Sequence, residues 1–136
     1  MDIKIKQLLD VEMTKIIPLY SDAGWINYTQ KPEMLAKSFE NSLAIFGAFE
    51  NEVLVGIIRV VGDGYSIIYI QDIIVLKSYQ RKGIGSSLLK KVLNEYANVY
   101  QKVLLTENQP ETINFYKSLG FVTVADLECV AFIQHS

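Results

Sequence analysis

Residues 43–76 hold three runs rich in β-branched and aromatic side chains, with almost nothing between them. The first, residues 43–49, closes at Glu50-Asn51-Glu52. The second, residues 53–61, closes at Gly62-Asp63-Gly64, and the third spans residues 65–76. Turns this short argue for antiparallel hairpins, so a three-stranded meander is expected at the centre of the fold.

The flanking segments read as helices and further strands. Ile3, Ile5 and Gln7 alternate as one face of a short strand. Asp10 is the expected N-cap of a helix over residues 11–21, with Val11, Ile16, Ile17 and Tyr20 on its apolar face. After Asp22-Ala23-Gly24 comes an aromatic loop, Trp25-Ile26-Asn27-Tyr28, and then a helix over residues 32–41 opened by Pro32. Beyond the meander, Leu88, Leu89, Val92, Leu93 and Tyr96 fall at helical spacing within residues 85–98. Residues 102–106 read as a buried strand, and residues 111–119 as a helix stopped by Gly120. Residues 121–124 and 129–134 read as two closing strands. The resulting order, βααβββαβαββ, puts hairpins before a β-α-β-α-β unit and makes the class mixed α+β.

Composition narrows the function. A chain of 136 residues, half of them hydrophobic, suits a single domain spanning 1–136. A net charge of −2 gives no basis for nucleic-acid binding, which draws strongly basic surfaces. The N-terminal alternation lacks the apolar core of a signal peptide, and no apolar run reaches the about 18 residues needed to span a bilayer. No membrane partner and a cytoplasmic location are the default expectations. With Cys129 the lone cysteine and His135 the lone histidine, no disulfide or multi-cysteine metal site is expected.

The junction after the third run carries the chemistry. A strand ends near Val75, a short basic connection follows, and a helix begins at Gly83-Ile84-Gly85-Ser86. Free backbone N–H groups and the positive end of the helix dipole meet at such a point, which favours an anion. Lys77, Arg81 and Lys82 add positive charge. A dinucleotide fingerprint would need a third Gly or Ala where Leu88 stands, and a Walker P-loop is absent. Taken alone, the junction serves equally well as a tight turn with no ligand.

The segment Gln80-Arg81-Lys82-Gly83-Ile84-Gly85 resembles the core motif of the GNAT superfamily of acyl-CoA-dependent N-acyltransferases. The preceding Asp72-Ile73-Ile74-Val75 and the later Phe115-Tyr116-Lys117-Ser118-Leu119-Gly120-Phe121 are similar to two further family signatures. The inferred element order agrees along nearly the whole chain. Gly24-Trp25, residues 59–63 and residues 69–72 look like a branch of short single-domain bacterial members, similar to plastid and cyanobacterial acetyltransferases.

The resemblance implies a mostly antiparallel sheet of six to seven strands with about four helices, splayed at its fourth and fifth strands. It implies acetyl-CoA as cosubstrate, with its pyrophosphate on Gln80, Arg81, Lys82, Gly83, Gly85 and Ser86. The pantetheine arm would lie along Ile73, Ile74 and Val75, where one amide stabilises the oxyanion, and Asn108 would add a contact. Gln109 competes with Asn108 for that contact. Tyr116 would protonate the departing thiolate, although packing is its alternative occupation. Asp72 is one candidate for general base beside Asp63 and Tyr69, with a structural ion pair as its alternative. Trp25, Tyr28, Arg59, Tyr65 and Tyr69 would line the acceptor pocket, although each also suits core or surface. The implied reaction is direct attack of a primary amine, a small molecule, in a ternary complex, by a monomer or homodimer that needs no metal. A non-catalytic acyl-CoA-binding module, a protein acetyltransferase acting on an N-terminus or lysine, and an edge-strand interaction protein are the alternatives.

Overall fold

Strands β2 (Ala44–Glu50), β3 (Val53–Gly62) and β4 (Ile67–Val75) form the expected meander in the computed structural model, which describes residues 1–136. Strand β1 (Ile3–Gln7) adds antiparallel to β2, and β5 (Gln101–Leu104) adds parallel to β4. The five strands lie in chain order, β1-β2-β3-β4-β5. β5 can run parallel to its neighbour because helix α4 (Ile84–Glu95) carries the chain back between them.

The chain divides into two compact units, Met1–Leu105 and Thr106–Ser136. In the first, α1 (Met13–Asp22), α2 (Ile26–Thr29) and α3 (Pro32–Glu40) precede the meander. Ile16, Leu19 and Tyr20 of α1 and Leu35 and Phe39 of α3 bury against Ile45, Ile57 and Ile74 on one sheet face. Each such aliphatic side chain contributes roughly 2 kcal/mol through the surface it removes from water. Helix α4 turns Ile84, Leu88, Leu89 and Val92 inward, at the expected spacing. The second unit holds α5 (Pro110–Ser118), opened by Pro110, and a 3-10 turn over Val124–Leu127.

Four expectations are corrected. Helix α1 starts at Met13 with Glu12 at its N-cap, and Asp10 lies outside it. The aromatic loop coils into the single turn α2, so there are five helices rather than about four. The sheet has five strands, not six to seven. The two missing ones are residues 121–124 and 129–134, none of which is extended in a ladder. Their β-branched residues supply the propensity, but a strand also needs a paired edge, and this segment makes only local bonds such as Cys129 N–H to Val124 O.

Candidate functional site

Strand β4 has two unlike halves. Ile67 to Ile70 pair with β3 on one side and with Gln101 to Leu104 of β5 on the other. From Gln71 to Val75 only the β3 side is paired, because β5 has ended. Leu76 N–H donates to Val55 O at 2.9 Å, so in an antiparallel ladder Ile74 and Asp72 also point their backbone groups at β3. The N–H and C=O groups of Ile73 and Val75 therefore face the open side. Ile74 does not share that edge, and its side chain is buried in the core.

The register with β3 steps by one residue. Arg59 lies opposite Asp72 but Val60 lies opposite Ile70, leaving Gln71 without a partner. This bulge brings Tyr69 and Asp72, three residues apart, to the same face. There Asp72 is 3% exposed, and its Oδ2 accepts from Tyr20 Oη at 2.6 Å and Arg59 Nε at 2.8 Å. Arg59 also donates to Ser42 Oγ at 3.3 Å and stacks its guanidinium over Phe39. Burial raises the Tyr20 pKa, and the Asp72 charge and hydrogen bond raise it further, so its phenol stays protonated. Burial works against the Arg59 charge, but Asp72 and Tyr20 outweigh it and hold the guanidinium more firmly protonated.

Aromatic side chains continue this face outward. Tyr20 packs against Trp25 and Tyr28, and the Tyr28 hydroxyl accepts from Gln71 Nε2 at 3.3 Å. The Tyr69 pKa is raised, first by burial, with Tyr28 and Asp72 adding to the shift. Tyr65 stands apart from this group, on the hairpin turn at 85% exposure. Tyr20 and Gln71 join this face without being among the residues expected there. At helical spacing Tyr20 reads as ordinary core, and the one signal for Gln71 is a lone amide amid isoleucines.

At its far end β4 runs into the glycine junction. A 3-10 turn, Lys77–Tyr79, follows Leu76, and Lys77 N–H is held by Asp22 Oδ2 at 2.8 Å. Gln80 folds back, its Nε2 donating to Val75 O at 3.1 Å. Arg81 and Gly83 both take positive φ, 62° and 79°, which swings the chain into α4. Gly83 is the N-cap and no side chain caps the helix. The first-turn amides, including those of Gly85 and Ser86, thus have no partner of their own. Gln80, Arg81, Lys82 and Gly83 are exposed, and the Lys82 ammonium rests over the Tyr79 ring. The open β4 edge and this junction form one continuous backbone surface. A phosphate suits its basic end, and an extended, amide-bearing chain suits its strand edge.

In the second unit, Tyr116 is buried and packs edge-on to Phe115 and Phe121. Burial raises its pKa, with Thr106 pulling weakly the other way. Asn108 is exposed, and Gln109 is the N-cap residue of α5. A cavity of about 400 Å³ in the first unit lies among Leu8, Val11, Ala36 and Leu43, and its lining includes Phe39 and Ser42, which contact Arg59. No helix is long and apolar enough to cross a membrane.

The acetyltransferase (GNAT) domain family model matches residues 11–136. A GNAT family acetyltransferase from Streptococcus pneumoniae is 39% identical, and its structure superposes over 99% of this chain and 98% of its own, with a TM-score of 0.91. The PaiA N-acetyltransferase of Thermoplasma acidophilum, solved in complex with coenzyme A, is 20% identical. It covers 90% of this chain and 91% of its own, with a TM-score of 0.72, a likeness of fold. The ycf52 N-acetyltransferase of Gracilaria tenuistipitata is 25% identical over 85% of this chain, which spans 65% of that protein's length.

Proposed function

This chain belongs to the GNAT acetyltransferase family, and on that premise we propose that it transfers an acetyl group from acetyl-CoA to a small primary amine. The observation that carries the proposal is the β4 edge left open from Gln71 to Val75 and leading into the uncapped N-terminus of α4. In this reading the pyrophosphate takes the amides from Gly83 to Ser86, with Arg81 and Lys82 supplying charge. The pantetheine amides bond to Ile73 and Val75 as an added strand would. The acetyl oxygen meets a free amide near Ile73, a donor already aimed where the oxyanion develops.

We assign the acceptor to the face of Tyr28, Tyr69 and Gln71, with Trp25 backing it. Tyr116, its phenol kept neutral by burial, gives a proton to the departing thiolate, while the proton that the attacking amine loses passes to solvent, which reprotonates the phenol. Asp72 and Arg59 are given to the fold rather than to proton abstraction. A buried carboxylate that took a proton from the amine would break its own ion pair.

Thermal unfolding tests the binding half. Acetyl-CoA at about 100 times its dissociation constant should stabilise the fold by about 2.7 kcal/mol, a shift of several degrees, while NAD and ATP leave Tm unchanged. No shift with acetyl-CoA would sink the proposal. The chemical half rests on Tyr116→Phe, which should keep the Tm shift and lose roughly 100-fold in kcat. Unchanged turnover would remove Tyr116 from the mechanism, and binding without turnover in the parent protein would leave a binding module.

A further inference from the structure

Tyr79 ties the glycine junction to a hairpin far from it in sequence. Its phenol donates to Glu50 Oε1 at 2.7 Å, and Glu50 is the last residue of β2 before the turn into β3. That bond raises the Tyr79 pKa, with desolvation and the Glu50 charge adding to it, so the phenol stays neutral. The Tyr79 amide donates to Leu76 O at 2.8 Å. Backbone and side chain are thus both held, on a residue that is only half-buried.

The face of the ring carries a cation. Lys82 Nζ rests 5.4 Å from the Tyr79 ring centroid, within cation–π range. The chain folds back between them where Arg81 takes φ 62°, a conformation that costs a residue with a side chain energy. Lys82 is exposed and joins none of the ion pairs of the chain. One tyrosine therefore engages Glu50 through its hydroxyl and Lys82 through its ring. A free lysine is a mobile point charge that loses rotamer freedom when it binds a phosphate. A lysine already laid on a fixed ring has given up part of that freedom beforehand.

We propose that Tyr79, anchored by Glu50, is a positioning residue that holds the Lys82 ammonium in place for the pyrophosphate of acetyl-CoA. This role rests on the acetyl-CoA site proposed above and adds to it two residues outside the glycine motif. Tyr79 acts through Lys82 and needs no contact of its own with a phosphate. All three side chains belong to the first unit.

Acetyl-CoA titration calorimetry on the full chain and its variants is the test. Lys82→Met should bind about tenfold more weakly, as expected for the loss of a hydrogen bond to a charged group. Tyr79→Leu, which removes ring and anchor together, should lose most of the same factor. The two combined should also stay about tenfold below the parent, because Tyr79 then has nothing left to position. Tyr79→Phe keeps the ring and loses the anchor, so a loss of roughly threefold is expected. Glu50→Ala should match it, and Glu50→Gln, which keeps an acceptor oxygen, should restore the parent affinity. A role for Tyr79 in stability alone would leave affinity untouched in every folded variant. Parent affinity in Tyr79→Leu, or losses that multiply in full in the double variant, overturns the proposal. Should Tyr79→Leu fail to fold, Glu50→Ala against Glu50→Gln decides, and equal affinities overturn it. A parent protein that binds no acetyl-CoA overturns the proposed function itself, and this role falls with it.

Discussion

Two Gly-x-Gly segments follow strands of the same sheet and do opposite things with their backbone. Gly62-Asp63-Gly64 closes the β3–β4 hairpin on itself. Asp63 Oδ1 accepts from the amides of Tyr65, Ser66 and Ile67 at 2.7, 2.8 and 3.2 Å, and its Oδ2 from Ser66 Oγ at 2.5 Å. Gly83-Ile84-Gly85 has no such internal acceptor. Ile84 is buried beneath the loop, and the helix above it is uncapped. The residue between the glycines makes the difference. A carboxylate there serves as the loop's own anion, while an apolar anchor holds the loop in place and leaves its amides for an anion from outside.

Substituting the glycines should separate the two roles. Gly62 sits at φ 132°, and a Cβ there would stand 2.5 Å from Ile67 O, a backbone atom with nowhere to go. Gly62→Ala is expected to cost about 3 kcal/mol in denaturant unfolding while leaving acetyl-CoA affinity unchanged. Gly83 sits at φ 79° with nothing within 4 Å of its Cβ position, so the substitution meets backbone strain but no clash. Gly83→Ala should cost only about 1 kcal/mol of stability. Its acetyl-CoA affinity should fall about tenfold, or about 1.4 kcal/mol, as the loop relaxes away from positive φ. If Gly83→Ala proves the more destabilising of the two, or binds acetyl-CoA as well as the parent, the contrast between the segments fails.

What could be read from the chain beforehand follows the range of the interaction responsible. The hairpins and the glycine junction were legible because turn residues act on their immediate neighbours. The face taken by Asp72 was not, since alternation along β4 is interrupted at Gln71 by a register step that only the pairing with β3 reveals. Its partner Tyr20 lies 52 residues away and reads as an ordinary apolar-face residue of α1. Residues 129–134 have every local mark of a strand, yet they lie in no ladder. Local preference marks the segment, but a strand also needs a partner edge, which local sequence cannot supply.

The smallest effect is expected at Asp63, where the comparison turns on charge alone. Its pKa is held well below the usual carboxylate range, first by Ser66 Oγ and then by the amides of Tyr65, Ile67 and Ser66. A depressed folded pKa stabilises the protein above the unfolded value of about 4 and loses that contribution as pH falls below it. Asp63→Asn keeps an acceptor oxygen but has no proton to gain. The parent should be the more stable at pH 7, and its advantage should shrink steadily below pH 4 as acid titrates the unfolded chain. Urea unfolding of both proteins from pH 7 to pH 2.5 measures this directly. Parallel stability curves would show that the Asp63 charge does not hold the turn, and the amides of the first Gly-x-Gly segment would then be no better satisfied than those of the second.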